Sequence, residues 1–173
     1  AFYFDSLTST WFTKNSAGIM VPVAPSPSNA SSVAASAALN TVETVITPST
    51  PIPAGFLQVG TTYRIVVSGT CTSTVANLST FTLRLGTAGT VADTAICTVT
   101  CTSAAAGAAV AFEAVFYVTI RSIGAGGTAM GSGYVVNSGV TGISSNGVGG
   151  GGSTATAAVN TTVANFVEVS YKS

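Results

Sequence analysis

Charge is what this sequence has least of. Five Lys or Arg and five Asp or Glu leave the 173 residues with zero net charge and a charged fraction of 6%, against roughly 25% in ordinary soluble domains. Without an excess of positive charge, the chain lacks the electrostatic footprint that phosphate backbones and anionic lipid headgroups require, so neither nucleic acid nor a membrane is an expected partner. Histidine is absent altogether, which excludes Ser-His-Asp and Cys-His catalysis within the chain and the His-containing zinc sites. The three cysteines, Cys71, Cys97 and Cys101, form no CxxC pair, and a disulfide scaffold is not expected from them. Cys97 and Cys101 face the same side of one strand, roughly 13 Å apart at the usual rise per residue. They read as small buried hydrophobes, while Cys71 is free to face either across strands. No run of 18 apolar residues occurs, and no cationic segment precedes an apolar one at the N-terminus, so neither a membrane span nor an export signal is expected. Ala1 fits loss of an initiator Met and synthesis in a cytoplasm.

In place of charge there are 27 Thr, 21 Ser and 22 Val. Thr and Val are stiff at χ1 and suit a pleated surface, whereas the helix formers Leu, Lys and Glu are scarce. A surface so poor in charge has weak protection against association, which points to much of it being covered by neighbouring molecules.

Residues 1–40 read as an extended N-terminal arm and linker. Phe2, Tyr3, Phe4, Trp11 and Phe12 gather five of the fourteen aromatics within twelve residues, and they are the candidate partner-binding residues. Burying each large aromatic stabilises by roughly 1.5–3 kcal/mol, and the Pro-rich stretch VPVAPSPSNASS (21–32) gives them reach. VAASAALN (33–40) is compatible with a brief helical turn.

From residue 41 to 173 the pattern is that of one all-β domain, an antiparallel β-sandwich of about eight strands. TVETVIT (41–47) is a first strand, closed by a PSTPIP turn (48–53). TTYRIVVSGTCT (61–72) alternates Tyr63, Ile65 and Val67 against Arg64, Val66 and Ser68. STFTLRLGT (79–87) turns Phe81, Leu83 and Leu85 inward and Thr82 and Arg84 outward. TAICTVTCT (94–102) and VAFEAVFYVTIRSI (110–123) follow, the latter with Phe112, Phe116, Val118 and Ile120 on one face and Glu113, Tyr117, Thr119 and Arg121 on the other. SGYVVNSGVTGIS (132–144) holds weaker strands. NFVEVSYK (165–172) sets Phe166, Glu168 and Ser170 opposite Val167, Val169 and Tyr171. SNGVGGGGSTAT (145–156) is a glycine-rich loop.

No catalytic, cofactor-binding or metal-ligating set emerges. Asp5, Glu43, Asp93, Glu113 and Glu168 are the only carboxylates available to a glycosidase-like pair, and the arginines on strands, Arg64, Arg84 and Arg121, are their expected partners. GAGGTAMGSG (124–133) and GVGGGG (147–152) lack the Gly-Lys-Ser/Thr ending of a phosphate loop and the strand-to-helix setting of a dinucleotide site, and read as loop glycines. Asn29, Asn77 and Asn160 open glycosylation sequons that matter only in a secreted eukaryotic chain.

The phrases IPAGFLQVGTTYRIVVSGT (52–70), FTLRLGTAGTVADTAI (81–96) and VTIRSIGAGGTAMGSG (118–133) resemble structural proteins of tailed bacteriophages, the jelly-roll family of head-decoration, cement, fibre and spike proteins. The resemblance spans roughly residues 50–135 and consists of strand-and-turn phrases without functional residues. It implies a jelly-roll sandwich and a virion component assembled in a bacterial host cytoplasm. It also implies a homotrimer that meets the major capsid protein or other virion proteins, with no enzymatic activity. The alternative it leaves is a tail-fibre or spike domain that binds a host glycan.

Overall fold

The computed structural model describes residues 2–5, 10–14, 20–22, 42–46, 49–72, 78–102, 109–137 and 157–172. All secondary structure among them is β, and every strand pair is antiparallel. The chain divides into two compact units, 1–30 and 31–173. The suggested helical turn at 33–40 and the glycine-rich stretch at 145–156 lie outside the described residues.

The first unit contains a three-stranded meander of β1 (Phe2–Asp5), β2 (Thr10–Lys14) and β3 (Met20–Pro22). All five aromatics of the candidate docking set fall on β1 and β2, and the register sets Phe4 opposite Trp11 and Tyr3 opposite Phe12. Strand pairing thus reaches into the segment read from sequence as an arm.

The second unit is built from two sheets. In one, the broken edge of β4 (Thr44–Val45) and β5 (Thr50–Ile52) lies along β12 (Asn165–Lys172), followed by β7 (Leu78–Gly86) and β8 (Thr94–Thr102). In the other, β6 (Thr62–Thr72) pairs with β9 (Ala109–Ser122), then β10 (Thr128–Asn137), then β11 (Ala157–Ala158). The PSTPIP segment, expected to be only a turn, contributes β5. Pro51 is tolerated there because an edge strand needs no ladder donor on its open side.

The period-2 alternation places the core. Phe81, Leu83 and Leu85 of β7 and Phe116, Val118 and Ile120 of β9 are buried with Val99 of β8 and Val169 and Tyr171 of β12. The rings of Phe81 and Phe112 meet across the sheets at 4.9 Å, and Phe81 meets Tyr171 edge-on at 5.0 Å. A bulge between the Leu83 and Arg84 pairings turns Ile96 into the core beside Cys97. Cys97 and Cys101 are both buried, in keeping with their reading as small core hydrophobes.

The glycines at 131 and 133, expected in a loop, lie instead within β10. A Cβ on Gly131 would stand 2.8 Å from Cys97 Cβ and from Ile96 O, and one on Gly133 would stand 2.9 Å from the Phe116 ring. These two positions let β10 approach β8 far more closely than the usual 10 Å between facing sheets.

Candidate functional site

The densest polar arrangement sits on the outer face of the β12–β7 sheet, where alternation points Thr82, Arg84, Glu168 and Ser170 away from the core. Arg84 and Glu168 are direct cross-strand partners. Arg84 is mostly buried and donates from Nε and Nη2 to Glu43 Oε1 at 3.1 and 2.7 Å, and from Nε to Ser170 Oγ at 3.1 Å. Ser170 Oγ also donates to Glu43 Oε1. A fourth guanidinium bond runs from Nη1 to the Asp93 carbonyl at 2.6 Å, tying the β7–β8 loop to the sheet.

That loop, residues 87–93, is wound around Asp93. Its carboxylate accepts the amides of Ala88 at 3.0 Å and Gly89 at 2.6 Å, while Ser49 Oγ donates to the Gly89 carbonyl at 3.0 Å. Gly89 has φ +67°, and a side chain on Gly86 would collide with Asp93 at 2.3 Å. The loop therefore requires glycine at both positions.

Glu168 lies beside Asp93, 1% exposed, and neither of its oxygens accepts a hydrogen bond. Burial raises its carboxyl to about 8, with the adjacent Asp93 adding to the shift and Arg84 opposing it. A protonated Glu168 donates to the Asp93 carboxylate, and this hydrogen bond and the Asp93 charge both favour its neutral form. Asp93 itself is pushed up by burial, but the amides of Ala88 and Gly89, the neighbouring neutral Glu168 and the Thr90 backbone outweigh this and hold it below the usual range. Glu43 follows the same pattern: burial raises it, and Ser170, Arg84 and Lys172 together bring it lower.

An ionised and a neutral carboxyl side by side is the electrostatic pattern of an acid–base pair. The geometry uses it otherwise. Glu168 is enclosed, and a shallow depression of about 190 Å³ nearby is lined by Thr87, Asp93, Thr94, Val159 and Asn165 but not by Glu168. Asn165 spends its amide hydrogens on the carbonyls of Asn160 and Val163, each at 2.9 Å, and leaves its buried Oδ1 unpartnered. Among the described residues no group of three acidic or thiol side chains could hold a metal ion. The cluster is a clasp that fastens a loop and the first strand edge to a sheet.

The expected pairing of acids with strand arginines holds for Arg84 with Glu43, across non-adjacent strands. Arg64, Arg121 and Glu113 form no ion pair among the described residues. They stand on the opposite side of the molecule, on the outer face of the β6–β9–β10 sheet. There the cross-strand rows run Arg64–Tyr117–Ser132, Val66–Val115–Tyr134 and Ser68–Glu113–Val136. Val115 is fully buried within this face, while Val66 and Met130 are 41% and 46% exposed.

Sequence reasoning missed the enclosure of Glu168, although it placed the residue on the correct face. The available signal was the alternation of Phe166, Glu168 and Ser170, which makes that face less polar than a solvated one. No helix of the described residues is long and apolar enough to cross a membrane. Comparison with protein families, with curated proteins and with solved structures found no match, and nothing in it links the chain to the jelly-roll proteins of phages.

Proposed function

We propose that this chain is a non-enzymatic structural unit of a tailed-phage virion, a capsid decoration or cement protein that trimerises on the head and bridges capsid subunits. The observation that carries the reading is an outer sheet face on which Val66 and Met130 are exposed and, among the described residues, the charges are confined to Arg64, Glu113 and Arg121. Such a face gains more from contact with protein than from water. The strand-and-turn resemblance supplies the virion context, and the aromatic meander supplies a second contact element. A jelly-roll assignment is supported by the position of the last strand, β12, between the first edge and β7. The β7–β8 and β9–β10 hairpins, each kept within one sheet, are where the connectivity departs from that pattern.

The mechanism is mechanical. Interface area added between neighbouring capsid subunits stabilises the shell, with no bond made or broken. Quantitative mass spectrometry of purified particles, paired with antibody labelling, tests this. Hundreds of copies on the head are expected. A handful at the tail would favour the glycan-binding fibre or spike reading, and absence from particles would sink both.

A further inference from the structure

Four strand edges bound the two sheets, and three are closed to pairing. The β4–β5 edge is interrupted and carries Pro51, β11 has only two residues, and β8 is bulged at Ile96 and drawn against β10. These are the ordinary ways in which an edge is blunted. Strand β6 has none of them. It runs eleven residues in unbroken register with β9, contains no proline, and no strand lies on its other side among the described residues.

Its hydrogen-bond phase is fixed by one contact, for Ile120 N–H donates to Thr61 O. With the register constant along β6, odd-numbered residues bond to β9, and the amides and carbonyls of Thr62, Arg64, Val66, Ser68 and Thr70 point at the open edge.

We propose that β6 pairs antiparallel with β6 of a second copy across a two-fold axis at Val66, joining the two outer sheets into one. Three features of the exposed face fit this register. Val66 meets Val66 of the second copy, which extends the row Tyr134–Val115–Val66 into a continuous apolar stripe. Arg64 of the second copy falls opposite Ser68, and beyond the short serine stands Glu113, about two strand spacings or ~10 Å away, within the joint reach of the two side chains. By symmetry the same pair forms twice, as an isologous contact requires. Moving the axis to Arg64 would set two guanidinium groups directly opposite each other, which is destabilising. Moving it to Ser68 would bring the two Glu113 rows together without an arginine between them.

The contact is independent of the trimer proposed above, and joins either two chains or two trimers. Sedimentation equilibrium of the full chain separates these possibilities. Wild type is expected at twice the mass of its smallest unit. Arg64→Glu and Glu113→Arg are each expected to weaken association roughly tenfold or more by placing like charges together, and the double exchange to restore it. Val66→Pro removes the central outward amide without touching a bond to β9, and is expected to give the smaller species. A monomeric or strictly trimeric wild type would overturn the inference, as would singles that associate normally or a double exchange no better than its parents. A strict dimer would uphold the inference and count against the trimer.

Discussion

Glu168 concentrates the energetic tension of this molecule in one side chain. A carboxyl that is 1% exposed and accepts no hydrogen bond is tolerated because it stays protonated, the usual escape for an acid forced out of water. Its folded value of about 8 lies above the unfolded one near 4.5, so its contribution to stability is fully present below pH 4.5 and is lost as pH rises through 8. Asp93 and Glu43 work in the other direction. Both are depressed when folded, so their contribution is present above the unfolded values of 3.8 and 4.5 and is lost as pH falls through their lowered ones. Melting temperature should therefore peak at about pH 4.5 and decline towards pH 8. Glu168→Gln should flatten the alkaline limb and stabilise by roughly 1–3 kcal/mol at pH 8, because an amide is neutral at every pH and does not bear the cost of holding a carboxyl protonated above its unfolded value; thermal melts across pH measure both. Arg84→Leu should cost about 2–4 kcal/mol in urea titration, somewhat under the range for a fully buried pair, because it strands Glu43 and frees the Asp93 carbonyl.

At the scale of the element, the close approach of β10 to β8 rests on two missing side chains. Gly131→Ala places a methyl group 2.8 Å from Cys97 Cβ and a backbone carbonyl, and should destabilise by about 1–3 kcal/mol through overpacking. Gly126→Ala meets nothing within 4 Å and has no left-handed backbone, so it should change stability by less than about 0.5 kcal/mol. The two variants compared by chemical denaturation isolate packing from any general intolerance of alanine. These elements also show how far the sequence could be read. Strands with hydrophobic alternation were legible nearly to the residue: TAICTVTCT and NFVEVSYK coincide with β8 and β12. Those without it were not. β10 begins TAMGSG, where the inward positions are Ala and Gly because another strand fills the space, so the alternation carries no hydrophobic signal. Pro51 concealed β5 for a related reason, since a proline excludes a central strand but not an open edge. The clasp was legible only as a set of candidate acids and arginines, because joining Glu43 to Arg84 and Asp93 to Glu168 depends on strand order, which local sequence does not encode.

The sandwich presents two outer sheet faces of contrasting character. One outer sheet face is covered by its own loop and fastened by the Arg84 cluster. The other is weakly charged and bounded by the β6 edge, which no strand covers among the described residues. The aromatic meander at the N-terminus belongs to a separate compact unit, so deletion of residues 1–30 should leave the sandwich folded while weakening attachment to a shell, which circular dichroism and a pull-down on phage heads would separate. The central proposal is that the chain works by binding to a shell. Cosedimentation of the purified full-length chain with heads that lack it, followed by heating of the decorated heads, addresses this most directly. The account predicts saturable binding at a fixed ratio to the capsid subunit and a higher rupture temperature once the sites are filled. Heads that take up no protein, or that rupture at the same temperature when saturated, would contradict it.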